Sequence, residues 1–291
     1  MTRVAFQGVA GAYSEEAIRQ YFGGDVEAVA SETFEDVFHA VEAHECAYGM
    51  LPVENSVAGS VNRSYELLVE HDLRIFAEVI FRVRHMLLAP AGTVPASIEV
   101  VRSHPQALAQ CRRYLARRGL KPEAADDTAG AAGELAGHPE PGVAVIAGAG
   151  AAKLSGLEII DRQIEDSPSN YTRFFVLSCE DAPRAQRNKT SLVFTTPHQP
   201  GALYECLGEF AARHVSLCKI ESRPRANRPW QYVFYLDFEG HSRDPECEAA
   251  MMGLLRRSSF VKMLGSYPAA TTPVDEPQTL AAGAPETETG E

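Results

Sequence analysis

Short apolar runs alternate with stretches of helical period from Arg3 to about Ser178, the pattern of an α/β fold whose parallel strands lie buried under helices. The start of the chain, Met1 to Gly8, runs directly into a strand-like pattern. Strands are expected at 26–30, 48–53, 98–101, 143–147 and 174–177. Thr33-Phe34-Glu35-Asp36 is a capping-box start, and Phe34, Val37, Phe38 and Val41 follow at i, i+3, i+4 and i+7, one apolar helical face. A second such start at Ser103 places Leu108, Cys111 and Leu115 on an apolar side, with Ser103, Gln106 and Gln110 on an uncharged, hydrogen-bonding stripe opposite. Read plainly, that stripe is an N-cap, its box partner and a surface residue; read functionally, it faces a ligand. The two readings are compatible.

Between Arg184 and Lys189 the chain turns polar, and the order of elements then changes, so a domain boundary belongs there. The spans expected are a first domain at 1–180, a linker at 181–188, a second domain at 189–268 and an acidic tail at 269–291. The second unit reads strand (191–195), helix after Pro200-Gly201, strands (215–221 and 231–238), helix after Asp244-Pro245, and strand (261–264). This βαββαβ order is ferredoxin-like. A unit of about eighty residues needs a partner surface for comfortable stability, which favours a homodimer or homotetramer assembled through it. The tail carries five carboxylates and no base, is rich in Pro, Thr and Ala, and has no apolar period, so disorder is expected.

The formal charge of −12 and the lack of a concentrated basic face argue against a nucleic-acid partner. No apolar stretch approaches the ~18 residues of a membrane span, and the start has no h-region, so a cytoplasmic location is expected. Six cysteines lie scattered in apolar elements, without a C-x-x-C pair or a histidine at metal spacing, and read as reduced core thiols.

Three small-residue turns join an expected strand end to a helix: Gln7 to Ser14, Glu54 to Ser60, and Ala147 to Gly150. In open α/β sheets such turns bring helix N–H groups to the carboxyl ends of strands and suit a small anion, although each alone is also an ordinary tight turn. A dinucleotide fingerprint fails because Lys153 stands where the third glycine belongs, and Walker, serine-elbow, zincin and EF-hand patterns are absent. In Asn170 to Leu177 a hydroxyl and a guanidinium stand at the mouth of an apolar strand. Alternation keeps Thr172 and Arg173 on opposite faces unless the strand begins irregularly, and Arg173 suits either a bidentate carboxylate clamp or a surface salt bridge.

Taken in order, GVAGAYSEEA from Gly8, LPVENSVAGSV from Leu51, SHPQALAQC from Ser103, DTAGAA from Asp127, NYTRFFVL from Asn170 and ESRP from Glu221 resemble the prephenate dehydratase family, from about Val4 to Tyr267. The resemblance implies a two-lobed catalytic domain folded like a type II periplasmic binding protein, followed by an ACT domain, the amino-acid-binding βαββαβ module. It implies conversion of prephenate to phenylpyruvate without metal or other cofactor, and feedback by L-phenylalanine. By the same matching, Thr172 is the residue most tied to activity, and Asn55, Ser103 and Gln110 are substrate contacts. Ser14, Glu54, Ser56, His104, Gln106, Arg173 and Phe174 stand in matching motifs as further substrate-site candidates, with His104 or Glu54 as a proton source. Gly201, Ala202 and Leu203, with Glu221, Ser222, Arg223 and Pro224, are the implied effector site. One departure is Pro197-His198-Gln199 before the Pro-Gly turn, where many relatives carry Asn or Asp. Two rival readings are an arogenate dehydratase and a non-catalytic amino-acid sensor on the same lobes.

Overall fold

The computed structural model describes residues 1–225 and 228–270. The first lobe is laid down by β1 (Thr2–Gln7), α1 (Tyr13–Phe22), β2 (Val26–Ser31), α2 (Phe34–Glu42), β3 (Tyr48–Asn55), β4 (Gly59–Ser60), α3 (Asn62–Glu70) and β5 (Arg74–Arg82). The chain then crosses into a second lobe made of β6 (Met86–Ala89), β7 (Val100–Ser103), α4 (Pro105–Gln110), α5 (Arg112–Arg118), β8 (Lys121–Ala124), α6 (Thr128–Gly137), β9 (Val143–Ala147), α7 (Ala149–Ser155) and β10 (Glu158–Arg162). It crosses back as β11 (Tyr171–Ser178), which inserts between β3 and β5.

That return explains where the expected parallel sheet fails. In the order β2-β1-β3-β11-β5, β1 is parallel to β2 and β3, but β11 is antiparallel to both neighbours, because it enters from the other lobe and runs back. The second sheet, β10-β6-β9-β7-β8, is likewise mixed: β7 is parallel to β8 and β9, while β6 is antiparallel to β9 and β10. β5 escaped the sequence reading because Glu78 and flanking arginines break its apolar run.

Local signals behaved as chemistry dictates. Thr33 caps α2 with a reciprocal bond to Asp36, and Val37, Phe38 and Val41 are buried. The helix expected from Ser103 differs. Ser103 ends β7, with its hydroxyl donating to the Ile146 carbonyl at 2.7 Å; His104 is the N-cap, and the helix breaks at Cys111 into α4 and α5. Among the thiols, Cys46, Cys111, Cys206 and Cys247 are buried and unpaired as expected, whereas Cys179 and Cys218 are exposed.

The second unit comprises β12 (Asn188–Thr195), α8 (Ala202–Ala211), β13 (Leu217–Arg225), β14 (Arg228–Glu239), α9 (Pro245–Arg257) and β15 (Phe260–Pro268). Its antiparallel sheet has the order β13-β14-β12-β15, the ferredoxin-like arrangement. Both helices cover one face through Phe194, Cys206, Phe210, Leu236, Phe238, Ala250 and Leu254. The other face lies on the first lobe, where Val193, Tyr235, Leu264 and Tyr267 share one buried cluster with Phe38, Leu51, Ile75 and Phe175. Approach there is close: a Cβ at Gly265 would stand 2.5 Å from the Ile75 carbonyl oxygen. On this face the first lobe itself is the partner surface a small unit needs. The link extends slightly further than the expected domain end, since the Ala269 N–H donates to the Arg187 carbonyl and the Ala270 N–H to Glu78. The expected tail beyond these residues, 271–291, lies outside the described residues.

Candidate active site

The lobes face each other across a cleft of about 200 Å³, lined by Tyr13, Asn55, Val83, His85, His104, Gln106, Ala107, Gln110, Asp127, Thr128 and Thr172. Contact between the lobes beside it depends on Gly11, whose φ of +86° and lack of a Cβ let it lie against Ala151, 2.9 Å from where a Cβ would sit. Glu16 of α1 accepts the Gly150 N–H of α7 at 3.0 Å across the same junction; burial raises its carboxyl pKa, which that bond partly offsets. The first and third of the small-residue turns therefore meet.

Register sets the wall of the cleft. β11 pairs Thr172 with Asn55 and Arg173 with Glu54, and a bulge at Val53 then brings Phe174 opposite Pro52. Paired residues share a face, so Asn55 and Thr172 look into the cleft while Glu54 and Arg173 look the other way.

Asn55 organises the polar groups. Its Oδ1 accepts the N–H groups of Val57 (3.0 Å) and Ala58 (2.9 Å), which settles the orientation of the amide. Its Nδ2 then donates to Asn170 Oδ1 at 2.8 Å and to Thr172 Oγ1 at 3.0 Å. Direction propagates onward. Asn170 Nδ2 donates to Gln110 Oε1 (3.0 Å), so His85 Nε2, 2.7 Å from the same oxygen, must also donate. His85 Nδ1 is left as the acceptor for the Tyr13 hydroxyl at 2.7 Å. Five side chains thus fix one another from backbone N–H groups to a phenol, in a single neutral protonation pattern. Burial agrees with it: it lowers the imidazole pKa of His85, although the Gln110 bond opposes, and it raises the Tyr13 phenol well above its ordinary value.

Chemically, the wall offers the Thr172 proton, because Oγ1 already accepts from Asn55, and the Gln110 amide hydrogens, because Oε1 is committed to the network. His104 Nδ1 accepts the Gln106 N–H at 3.2 Å, which leaves Nε2 as the ring's protonated nitrogen. The N-termini of α1 and α6 end at the cleft residues Tyr13 and Thr128, and Asp127 caps α6 through the Gly130 N–H. Among the described residues, no lysine or arginine lines the cleft.

Of the sequence-expected site residues, Asn55, His104, Gln106, Gln110 and Thr172 come together here. Ser14 sits half-buried in the first turn of α1 beside Tyr13. Ser56 ties the β3 turn to the returning chain, donating to the Ser169 carbonyl and accepting from the Tyr171 N–H. Four expectations need correction. Ser103 is wholly buried and spends its hydroxyl on Ile146. Phe174 belongs to the core under α1, with Phe6, Ile18 and Met50. Arg173 does not face the cleft: strand alternation turns it to the second domain, where it meets Glu78 and Asp237, each at 2.7 Å. Glu54, expected at the cleft as a proton source, faces the same way and pairs with Lys219 at 2.9 Å. Missed were Tyr13, His85, Asp127, Thr128 and Asn170. Four of these stood inside the quoted motifs; His85 had no sequence signal, since a lone histidine after a charged strand reads as surface.

In the second domain, Gly201 takes a left-handed conformation (φ +83°) ahead of α8, with Ala202 buried and Leu203 half-buried against the domain core. Glu221 accepts from Ser60 (2.6 Å), Lys219 (3.1 Å) and Arg223 (2.6 Å), and Arg223 reaches Asn62 of α3. Burial would raise the Glu221 carboxyl, but these donors outweigh it and hold the pKa down. Ser222 and Pro224 are exposed. Among the described residues the side chains grouped to hold a metal are His39, Glu42 and His71, on α2 and the end of α3, and none of them lines the cleft.

A two-lobed α/β domain with a hydrogen-bonding cleft between its lobes, docked on a ferredoxin-like domain, is the class of protein that the fold defines. The family model described as prephenate dehydratase matches residues 4–182. The arogenate dehydratase/prephenate dehydratase 2 of Arabidopsis thaliana, a chloroplastic protein, is 43% identical over 93% of this chain and 74% of its own length. This chain belongs to the prephenate dehydratase family. Among solved structures, a prephenate dehydratase from Arthrobacter aurescens in complex with L-Phe superposes with a TM-score of 0.84 at 31% identity, covering 94% of this chain and 93% of that one. A protein described as a quorum-quenching acylase superposes at 0.85 with 36% identity, covering 92% and 98%. No described helix is long and apolar enough to cross a membrane.

Proposed function

We propose that this chain catalyses the decarboxylative dehydration of prephenate to phenylpyruvate in L-phenylalanine biosynthesis. The observation that carries the reading is the Thr172 hydroxyl, fixed by Asn55 at the wall of the cleft and joined through it to the network of Asn170, Gln110, His85 and Tyr13. As the C–C bond to the ring carboxylate breaks, its electron pair completes the aromatic ring, and the ring C–O bond breaks with its pair on oxygen. One proton taken up by that oxygen makes water, and CO2 leaves. Aromaticity supplies the driving force, so the protein needs chiefly to hold a dianion and help hydroxide depart. Thr172 donates a hydrogen bond to the departing oxygen, His104 Nε2–H is a second hydrogen-bond donor on the same wall, and the proton that completes water is drawn from solvent. Helix N-termini and the Gln110 amide receive the carboxylates.

A second reading, arogenate as substrate, has Asp127 in its favour, a carboxylate on the cleft wall suited to a side-chain ammonium. Steady-state kinetics on both compounds test the two. A higher kcat/KM for prephenate is expected; a higher one for arogenate reverses the assignment, and no turnover of either would leave a non-catalytic sensor.

The first domain at 1–180 is on this reading catalytic, and 189–268 is an ACT domain joined by the linker 181–188, working in the cytoplasm. L-phenylalanine is its effector, held by the Gly201-Ala202-Leu203 turn and the Glu221-Ser222-Arg223-Pro224 segment across a homodimer or homotetramer interface. The left-handed Gly201 supports this, because it leaves backbone N–H groups at the α8 start for a carboxylate. Titrating phenylalanine into Gly201→Val and Ser222→Ala variants tests the site: weakened binding is expected, and unchanged affinity in both places the effector elsewhere.

A further inference from the structure

The residues that flank Asn55 and Thr172 do not end in solvent or in their own lobe. Arg173 donates through Nε to Glu78 (2.7 Å), through Nη1 to Asp237 (2.7 Å) and through Nη2 to the Tyr267 hydroxyl (3.1 Å), with its guanidinium 4.7 Å over the Phe175 ring. Asp237 also accepts from Ser191 at 2.6 Å, and Glu78 from Lys189 at 2.7 Å. Side-chain exposures of 11% for Arg173, 1% for Glu78, 7% for Asp237 and 18% for Lys189 make this a buried network of two cations and two carboxylates. Glu78 and Arg173 belong to the first lobe; Lys189, Ser191, Asp237 and Tyr267 come from three strands of the second domain. Beside it, Glu54 pairs with Lys219 of β13, which also holds Glu221.

We propose that Arg173 and Glu54 are positioning residues through which the second domain's sheet forms part of the active-site scaffold. Each is bonded in the chain to one of the two residues that define the cleft wall, and the two are themselves register partners. A peptide unit whose one neighbour is held by three buried hydrogen bonds, each to a different partner, cannot rotate without breaking them, so the anchor on one face of β11 sets the direction of the Thr172 hydroxyl on the other. The β3 bulge at Val53 makes this necessary: a locally interrupted ladder fixes its residues less well than a regular one. The same seam gives any change in the second domain a mechanical route to Asn55 and Thr172, with Lys219 shared between Glu54 and Glu221.

The proposal rests on the dehydratase reading for its kinetic arm. In the full-length protein, Asp237→Asn, a near-isosteric change outside the cleft, should lower kcat about tenfold with KM within about twofold. In a Thr172→Ala background the same change should have no further effect on kcat, since it acts through the hydroxyl already removed. Equal fractional losses in both backgrounds, or unchanged kcat in a folded Asp237→Asn protein, overturn the idea. Lys219→Met supplies the second arm, acting through Glu54, should Asp237→Asn fail to fold. Amide hydrogen exchange at 170–173 reads the scaffold without any substrate: it should accelerate in either variant, and wild-type protection in both defeats the proposal even if the wild-type protein turns over neither prephenate nor arogenate.

Discussion

The two faces of the β3–β11 pair carry opposite chemistry at adjacent residues. Toward the cleft, Asn55 and Thr172 belong to a network without a formal charge, continued by Asn170, Gln110, His85 and Tyr13. Toward the second domain, Arg173 enters ion pairs that are nearly closed to water, and Glu54 pairs with Lys219 at the partly exposed edge of the same seam. The difference follows from what each face must meet. A seam between two domains has no ligand to balance it, so its buried charges have to be matched within the protein, two against two. The cleft wall at Asn55 and Thr172 gains from neutral, oriented donors, while the Asp127 carboxylate in the lining is tied to the Gly130 N–H at the start of α6.

The comparison breaks most visibly at Thr172. Thr172→Ala should keep the fold and lower kcat by about 10²- to 10³-fold, the scale of losing one oriented donor, with little change in KM. Near-normal turnover, measured as phenylpyruvate formed, would take the cleft's hydroxyl out of the chemistry. On the charged face the expected loss is stability. Glu78→Gln leaves Arg173 and Lys189 short of a buried partner and should cost about 3–5 kcal/mol in denaturant unfolding. A cost near that of an exposed ion pair would show the seam to be hydrated.

His85 sharpens the comparison through pH. Its folded-state pKa lies below the ordinary imidazole value, so the folded protein refuses a proton that the unfolded chain accepts. Its contribution is therefore complete above about pH 6.5 and is lost as pH falls below that value toward the folded pKa. Stability curves of wild-type and His85→Asn proteins should diverge above that range and converge below it. Parallel curves would mean that the imidazole titrates freely. Smallest of all, truncation after Ala270 should leave turnover and melting temperature unchanged, because the Glu78 and Arg187 contacts are retained and the removed segment has no apolar face. A loss of either would give the acidic segment a role on the seam's side of the molecule.

Much of the fold was legible because its signals are local. The Thr33 to Asp36 box, the Pro245 start of α9, the Gly201 turn and the alternation of β12 depend on neighbours within a few residues, and a single period names the element. The motifs around Asn55, Gln110 and Thr172 likewise pointed to residues that do meet. Alternation even forbade Thr172 and Arg173 a common face. It could not say which of the two the cleft would take, and the resemblance, which treats a motif as one block, assigned both to the ligand.

What only the tertiary structure decided are the relations that span lobes and domains. β11 lies antiparallel between β3 and β5 because the chain returns from the other lobe, and no periodicity in 171–178 records that origin. His85 becomes part of the site only when Tyr13, 72 residues earlier, and Gln110, 25 residues later, arrive at its two nitrogens. Arg173 finds Asp237 across 64 residues because the second domain lays its sheet on the first lobe. A sequence pattern states which side of its own element a residue occupies; which partner waits on that side is set by packing, since burying a charge or a hydroxyl is tolerable only where the rest of the chain delivers its complement.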